Sequence, residues 1–194
     1  YEVIKNNYEN IQKSKILDKL KIKEKEYFLV TLHRQENVDS KEKLKILVKI
    51  LETLSNKFKK SVVWPLHPRT LKNLKKYKIN VNKKIKIISP QGFFNFVKLE
   101  MNCLCILTDS GTVQEESAIF KIPNIILREK TERPETIESG SSIISMNNVV
   151  DVVNAVKFAI NENNVPDDIS EYNVLNVSNK LINIILSNYD FDKF

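Results

Sequence analysis

One stretch of the chain decides the fold that we expect: residues 103–116, CLCILTDSGTVQEE. Its first half is an apolar run that ends at Thr108, which is typical of a buried strand. The chain then turns at Ser110 and Gly111, and the residues that follow favour a helix. A buried strand that leads directly into a helix is the repeating unit of a parallel sheet covered by helices.

Similar strand and helix units recur on both sides of this stretch, from Tyr27 onward. Short apolar runs predict strands at 27–32, 62–66, 85–88, 103–108, 124–127 and 142–145. Longer amphipathic runs predict helices at 40–58, 69–77, 92–101, 112–120, 148–161 and 176–188. The expected fold is therefore α/β: a Rossmann-like parallel sheet of about six strands flanked by helices.

The helix predicted at 40–58 has the clearest pattern, because its apolar residues recur every three or four positions. Asp39 is the expected N-cap, and Glu42 would complete a capping box. The length of 194 residues suits a single domain over 1–194. Within it, we interpret 1–26 as a linker segment before the first strand and 176–194 as a terminal crossing helix with a tail.

The net charge of +7 raises nucleic acid as a partner, but the distribution of charge disfavours it. Only four of the 31 basic residues are arginines, and the lysines are mixed with Glu and Asn along the predicted helices. Such mixing is typical of a solvated helix face. We therefore expect no nucleic-acid partner.

The two cysteines, Cys103 and Cys105, lie in an apolar run where alternation would place both on one strand face. No second Cys pair or nearby His supplies the spacing of a metal site, so we predict buried, reduced thiols. Reduced thiols favour a cytoplasmic protein. No apolar run approaches the roughly 18 residues that cross a bilayer, and no signal peptide precedes the domain, so we expect no membrane partner.

The residue types that this chain uses sparingly all follow predicted strands. They are both histidines, all four arginines and all three glycines: His33, His67, Arg34, Arg69, Arg128, Arg133, Gly92, Gly111 and Gly140. The carboxyl edge of an open parallel sheet is where ligands bind, because loops and helix N-termini converge there. A basic edge that carries imidazoles indicates an anionic ligand.

The turn after Thr108 is the most specific local feature of this edge. The helix that starts there would direct unpaired N–H groups at a phosphate, and Gly111 would let a diphosphate approach the backbone. An ordinary turn capped by Asp109 or Ser110 explains the same residues. Bland alternatives also hold elsewhere: a structural histidine for His33, a surface carboxylate for Glu116, and a solvated charged loop for 128–135.

Four ordered motifs together carry a resemblance. TLHRQENVD at 31–39, HPR at 67–69, TDSGTVQEES at 108–117 and LREKTERPET at 127–136 resemble the C-terminal domain of the non-hydrolysing UDP-N-acetylglucosamine 2-epimerases. The resemblance implies one half of a two-domain fold of the GT-B type. It covers about 27–145 closely and the remainder in general layout.

The resemblance also implies residue roles. His33 would lie near the sugar and assist departure of UDP, while Glu116 would bind the ribose hydroxyls. Ser110 and Gly111 would hold the diphosphate, with Arg133 as its counter-charge. The remaining implied contacts are the uracil near Phe96 and a second, allosteric UDP-sugar near Arg34 and His67.

The implied activity is isomerisation of UDP-GlcNAc and UDP-ManNAc by elimination of UDP and its re-addition, with no cofactor and no metal. The family's essential carboxylates come from the N-terminal domain, so this half alone would be inactive. That domain and a second copy in a homodimer are the expected partners. One alternative is the branch that makes UDP-N-acetyl-L-fucosamine by epimerising a 6-deoxy UDP-N-acetylhexosamine, because Thr112 stands where most members have glycine and PQGFF occupies 90–94. A GT-B glycosyltransferase, a hydrolysing relative that releases UDP and ManNAc, and a non-enzymatic binding module also stay open.

Overall fold

The computed structural model describes residues 1–145, 148–161 and 166–188. Within them, one sheet of six strands has the order β3-β2-β1-β4-β5-β6, and each pair of neighbours is parallel. The strands are β1 (Tyr27–Thr31), β2 (Ser61–Pro65), β3 (Ile85–Ile88), β4 (Cys105–Thr108), β5 (Asn124–Ile126) and β6 (Ser142–Ile144). The predicted Rossmann-like α/β fold is confirmed, and each strand lies where the sequence placed it to within two residues.

Helices cover both faces of this sheet. They are α1 (Glu2–Asn6), α2 (Tyr8–Gln12), α3 (Ile16–Leu20), α4 (Gln35–Val38), α5 (Lys41–Phe58), α6 (Pro68–Lys76), α7 (Phe93–Asn102), α8 (Gly111–Phe120), α9 (Pro134–Glu138), α10 (Val149–Ala159) and α11 (Val177–Asn188). All six predicted helices are present, α10 somewhat shorter than expected. The short helices α1 to α4 and α9 were not predicted, because segments of four or five residues carry too little periodicity.

Alternation along the buried strands divides the core between the two faces. Phe28 and Val30 of β1 point to the face covered by α5 and α10, whereas Tyr27 and Leu29 point to the face covered by α3, α7 and α8. All five residues of β1 are buried, as is typical of a strand that is covered on both faces. This arrangement leaves the strand ends as the exposed part of the sheet.

The expectation that the two cysteines share a strand face is wrong. β4 begins only at Cys105, whereas Cys103 is the C-cap of α7. Cys105 therefore packs on the α5 side and Cys103 on the α7 side. Both are free and buried, and burial raises the pKa of each thiol.

The expected N-cap of α5 is also wrong. Ser40 caps this helix, and its hydroxyl accepts from the backbone N–H of Lys43 at 3.3 Å. Asp39 instead accepts from the Arg69 guanidinium at 2.9 and 2.5 Å and from the Asn73 amide at 2.8 Å. A long-range bidentate ion pair thus engages the carboxylate that local sequence assigned to a cap.

The segments before and after the sheet pack differently. Ile4 of α1 and Ile11 of α2 are buried with Val97 of α7, so the predicted linker segment folds onto the domain. In α11, Leu181 and Leu186 are 55% and 56% exposed. The predicted tail at 189–194 lies outside the described residues. No helix in the described ranges combines the length and apolarity that crossing a membrane requires.

Candidate functional site

The strand order reverses between β1 and β4, and the candidate site lies at that point. The connection from β1 leads toward β2 and β3, while that from β4 leads toward β5 and β6, so a crevice opens between the two loops. A cavity of about 380 Å³ occupies it. Its lining is Thr31, Leu32, His33, Pro65, His67, Pro90, Gln91, Phe96, Ser110, Thr112, Val113 and Glu116.

Asp109 organises the floor of this crevice. Its side chain is fully buried and accepts from the backbone N–H of His33 at 3.1 Å, the backbone N–H of Arg34 at 2.9 Å and the side-chain amide of Asn37 at 3.1 Å. The same carboxylate lies 3.3 Å from Nδ1 of His33. A buried carboxylate requires such donors, and here they fix the β1 loop against the β4 loop.

The contact with Asp109 also orients the His33 imidazole. Because Nδ1 faces a carboxylate, that nitrogen is the one that carries hydrogen, which leaves Nε2 for a ligand. The side chain is 40% exposed and lines the cavity. His67, on the neighbouring loop after β2, places its ring centroid 5.8 Å from that of His33. The two predicted histidines are therefore side by side.

The N-terminus of α8 faces the cavity with its amides open. Ser110 is the N-cap, but its hydroxyl makes no capping hydrogen bond. Its own backbone N–H donates to the Thr108 hydroxyl at 3.0 Å. The first hydrogen bond within the helix runs from the backbone N–H of Gln114 to the Ser110 carbonyl, at 3.3 Å. The amides of the first turn, including Gly111 and Thr112, are free to bind an anion.

Gly111 has no internal reason to be glycine. Its φ is not positive, and a Cβ built there would meet only the Arg133 guanidinium, at an ordinary 3.8 Å from Nη2. Gly140 is different, because its φ of 74° requires glycine. The missing side chain at Gly111 leaves open space between the α8 N-terminus and the Arg133 guanidinium.

The four arginines separate into distinct environments. Arg133 lies beside the α8 N-terminus, where its Nε donates to the Glu115 carboxylate. Arg128 is 5% exposed and forms ion pairs with Glu36 at 3.1 Å and Glu132 at 2.7 Å. Of the two arginines in the charged loop, only Arg133 is thus near the cavity, and it does not line it.

Arg34 and Arg69 also lie outside the cavity lining. The Arg34 guanidinium donates to the Asp109 carbonyl at 3.3 Å, so it stabilises the β4 loop from behind. Arg69 is engaged with Asp39, and its backbone N–H donates to Nδ1 of His67 at 3.2 Å, which makes His67 the N-cap of α6. His67 therefore has a structural contact as well as a place in the cavity.

Phe96 and Glu116 form the wall opposite the histidines. Phe96 is in the first turn of α7 and Glu116 in the second turn of α8, and these helices pack together. Burial raises the pKa of Glu116, although a side-chain hydrogen bond with Glu100 opposes this. Among the residues that line the cavity, Glu116 is the one that carries a carboxylate.

Five of the eight residues predicted for the site line one cavity: His33, His67, Phe96, Ser110 and Glu116. Gly111 and Arg133 lie together beside it, and Arg34 lies behind Asp109. Asp109 was predicted only as a possible cap, and no role was predicted for Glu100. A carboxylate one helical turn after Phe96, on the side of α7 that is otherwise apolar, was the available signal for Glu100.

The oxygen, nitrogen and sulfur groups of the described residues do not suggest a metal centre. No group of three or more His, Cys, Asp or Glu side chains in these residues is arranged to hold a metal ion. The cavity combines imidazoles, hydroxyls, open amides and an aromatic ring. That set is suited to a ligand with an anionic centre and a planar ring.

Comparison with known proteins relates this geometry to one family. The sequence model described as UDP-N-acetylglucosamine 2-epimerase matches residues 1–186. A UDP-N-acetylglucosamine 2-epimerase of Methanocaldococcus jannaschii is 42% identical over 193 residues, covering 83% of this chain and 53% of the relative. One from Methanococcus maripaludis is also 42% identical, over 145 residues, covering 73% of this chain and 40% of the relative.

Solved structures give the same relationship. The Methanocaldococcus jannaschii UDP-GlcNAc 2-epimerase in complex with UDP-GlcNAc and UDP has a TM-score of 0.84 at 38% identity, covering 97% of this chain and 52% of that one. The UDP-N-acetylglucosamine 2-epimerase of Rickettsia bellii has a TM-score of 0.82 at 35% identity, covering 96% and 51%. The chain thus spans about half the length of the relatives that it matches.

Proposed function

Because the chain belongs to the UDP-N-acetylglucosamine 2-epimerase family, we propose that it is the nucleotide-binding half of an enzyme that interconverts UDP-GlcNAc and UDP-ManNAc. The observation that carries the proposal is the cavity at the β1/β4 junction. There an oriented imidazole, the open N-terminus of α8, an aromatic ring and a carboxylate surround one volume. A UDP-sugar has matching groups: a sugar, a diphosphate, a planar uracil and vicinal ribose hydroxyls.

Each predicted residue has a defined part in this proposal. The diphosphate binds the amides and hydroxyl at Ser110 and Gly111, and Arg133 supplies the opposite charge. Uracil packs near Phe96, and Glu116 accepts hydrogen bonds from the ribose. Ser110, Glu116 and Phe96 lie on the β4 loop, α8 and α7, and all three line the same cavity.

His33 acts at the bond that breaks. Elimination removes the C2 proton and expels UDP from C1, which places growing negative charge on the diphosphate. When it is protonated on both nitrogens, the imidazole keeps Nδ1–H toward Asp109 at 3.3 Å and can give its Nε2 proton to the departing UDP oxygen, which leaves a neutral ring. Re-addition of UDP after a proton returns to the opposite face of C2 completes the inversion.

The proton at C2 needs a base, and we assign it to a second, N-terminal half of the enzyme. Glu116 is committed to the ribose in this proposal, and the family resemblance implies essential carboxylates in the other half. Exposed apolar residues of α11, Leu181 at 55% and Leu186 at 56%, support a partner domain. The complete enzyme would be a GT-B-type, two-domain protein of the cytoplasm, where its buried thiols stay reduced, and would form a homodimer.

The proposal also includes an allosteric site for a second UDP-sugar near Arg34 and His67. His67 borders the cavity beside His33, which supports a second ligand next to the first. Arg34 is held by Asp109 through its backbone N–H at 2.9 Å. A sigmoidal dependence of rate on UDP-GlcNAc that becomes hyperbolic in His67→Ala would support this regulation, and identical curves would exclude it.

An assay in heavy water tests the activity directly. The complete gene product is incubated with UDP-GlcNAc, and separately with its 6-deoxy counterpart, while NMR follows C2. We expect UDP-ManNAc with deuterium at C2, because the proton lost there returns from solvent. Transfer of the sugar to an acceptor, or no inversion of either substrate, would contradict the proposal.

His33→Ala gives the matching test of mechanism. In the complete enzyme it should lower turnover far more than it lowers the affinity for UDP, because the imidazole acts mainly on the transition state. Lys83→Ala, at the far end of the sheet, is the control. A loss of UDP affinity with unchanged turnover would make His33 a binding residue only.

A further inference from the structure

Glu100 is a buried carboxyl group next to the site. It lies on α7 one helical turn after Phe96, which lines the cavity, and its side chain is 0% exposed. α7 packs on α8, the helix that carries Glu116. Glu100 therefore lies buried beside the cavity wall, close enough to the Glu116 carboxylate for a side-chain hydrogen bond.

No donor stabilises a charge on Glu100. Neither carboxylate oxygen accepts a hydrogen bond from the described residues. Two neighbouring polar hydrogens are used elsewhere: the Tyr27 hydroxyl donates to the Leu99 carbonyl at 2.6 Å, and the Cys103 thiol donates to the backbone carbonyl of Glu100 at 3.1 Å. An ionised carboxylate without donors is very costly in such an environment, so this group carries a proton.

The pKa shifts of Glu100 and Glu116 agree with a protonated Glu100. Burial, followed by the charge of Glu116 and a side-chain hydrogen bond with it, raises the pKa of Glu100 well above its ordinary value. Burial also raises the pKa of Glu116, while its hydrogen bond with Glu100 lowers it. One proton shared by two carboxyl groups, held on the more buried one, accounts for these opposite effects of a single contact.

The other charged and titratable groups around the pair do not supply an alternative partner. On the Glu116 side, Glu115 is engaged with the Arg133 guanidinium. On the Glu100 side, Tyr27 and Cys103 are the neighbouring titratable groups. Burial raises the pKa of both groups, so they are neutral neighbours.

We propose that Glu100 is a positioning residue of the nucleotide site: its proton forms a hydrogen bond to Glu116 and holds that carboxylate ionised and aimed at the vicinal hydroxyls of the ribose. The inference rests on the proposed binding of a UDP-sugar. A carboxylate that accepts from two hydroxyls must be ionised and fixed, and a neutral donor behind it provides both conditions. Nucleotide affinity then depends on the proton that Glu100 keeps.

The pH dependence has a defined sign. As the pH falls, Glu116 also takes up a proton, ceases to be a charged acceptor, and the affinity falls. As the pH rises through the raised pKa of Glu100, the donor becomes a second negative charge beside Glu116, and the affinity falls again. Glu100 sets the alkaline side of this profile, and its hydrogen bond to Glu116 moves the acid side to lower pH.

Calorimetric titration of the 194-residue chain with UDP-GlcNAc, from about pH 5 to about pH 9, tests the inference. Glu100→Gln keeps a neutral N–H donor, so it should bind like the wild type at low pH and lose the alkaline decline. Glu100→Leu has no donor and should bind roughly 2- to 10-fold more weakly throughout. Glu138→Gln, an exposed carboxylate, is the matched control.

Different outcomes would contradict the role of Glu100 and the proposed function. An alkaline decline that persists in Glu100→Gln, or wild-type affinity in Glu100→Leu, would overturn the role of Glu100 while UDP-GlcNAc still binds. Absence of binding by the wild type at every pH would overturn the proposed function itself. If Glu100→Leu does not fold, the pH profile of Glu100→Gln alone decides. Titration of the uracil ring affects all variants equally, so it does not change the comparison between them.

Discussion

The two ends of the sheet carry hollows of similar size and very different construction. The hollow at the carboxyl ends has a volume of about 380 Å³, and that at the amino ends of β2 and β3 has about 400 Å³. The second is lined by lysines with no acidic residue: Lys59, Lys60, Lys83, Lys84 and Lys86. By charge alone it would be the better anion site.

The lysine-lined hollow nevertheless lacks a fixed framework. Its amines lie at the ends of long side chains, and three of them are already engaged within the chain: Lys60 with the Glu26 carboxylate at 2.6 Å, Lys84 with Asn56 at 2.9 Å and Lys86 with the Leu20 carbonyl at 2.7 Å. At the carboxyl end, by contrast, buried Asp109 fixes the loops and the α8 amides are open. Orientation of groups by strand ends, rather than net charge, therefore identifies the site.

The largest expected effect concerns the framework itself. Asp109→Ala removes the acceptor of the part-buried backbone N–H groups of His33 and Arg34 and of the buried Asn37 amide, and should lower the free energy of unfolding by about 3 to 5 kcal/mol. Urea denaturation measures this. Asp18→Asn, at an exposed carboxylate, should change it by less than about 0.5 kcal/mol. Equal, small effects would mean that the carboxyl edge is no better organised than the amino edge.

The next effect concerns the bound anion. Arg133→Ala and Ser110→Ala should each weaken UDP binding by about 1.5 to 3 kcal/mol, which is about 10- to 150-fold, because charge-assisted contacts are lost. Calorimetric titration with UDP measures the change. Lys59→Ala and Lys83→Ala should leave affinity unchanged. If the lysine variants lose affinity and the other two do not, the assignment of the two ends is reversed.

A pair of glycines sharpens the comparison further. Gly111→Ala should leave stability unchanged or slightly higher, since its φ is not positive, but should weaken UDP binding by about 1.4 kcal/mol, tenfold. Gly140→Ala, in the turn that leads to β6, should destabilise the fold by about 1 to 2 kcal/mol because of its φ of 74°, with no effect on binding. Thermal unfolding and UDP titration of both variants measure these effects. A loss of stability in Gly111→Ala, or a loss of UDP affinity in Gly140→Ala, would contradict the prediction.

The smallest effect lies at the amino edge. Lys59 ends α5 in the left-handed conformation, with φ of 54°. Lys59→Gly relieves that strain but gives the unfolded chain more freedom, so the free energy of unfolding should rise by less than about 1 kcal/mol. Urea denaturation should show this with unchanged UDP affinity. A clear loss of stability would indicate that the Lys59 side chain makes a contact that matters.

The strands, the long helices and the edge that carries the site were predictable, because each depends on a local pattern that repeats along the chain. The contacts between distant residues were not. Asp109 satisfies the sequence pattern of a cap, yet its partners His33 and Asn37 lie more than 70 positions away. Asp39 was assigned to a cap for the same reason and pairs with Arg69 instead.

Charged residues close together in sequence posed a related problem. Arg128 and Arg133 have equivalent surroundings in the sequence, but one is buried against Glu132 and the other reaches the α8 N-terminus. Only three-dimensional packing separates them. Glu100 was missed because its meaning depends on a second carboxylate on a neighbouring helix.

Backbone NMR of the labelled chain during titration with UDP tests the central claim most directly. The claim predicts that the amide signals of Ser110, Gly111 and His33 shift in a saturable manner while those of Lys59 and Lys83 remain in place. Shifts concentrated at the lysine-lined hollow, or spread evenly over both ends of the sheet, would contradict it.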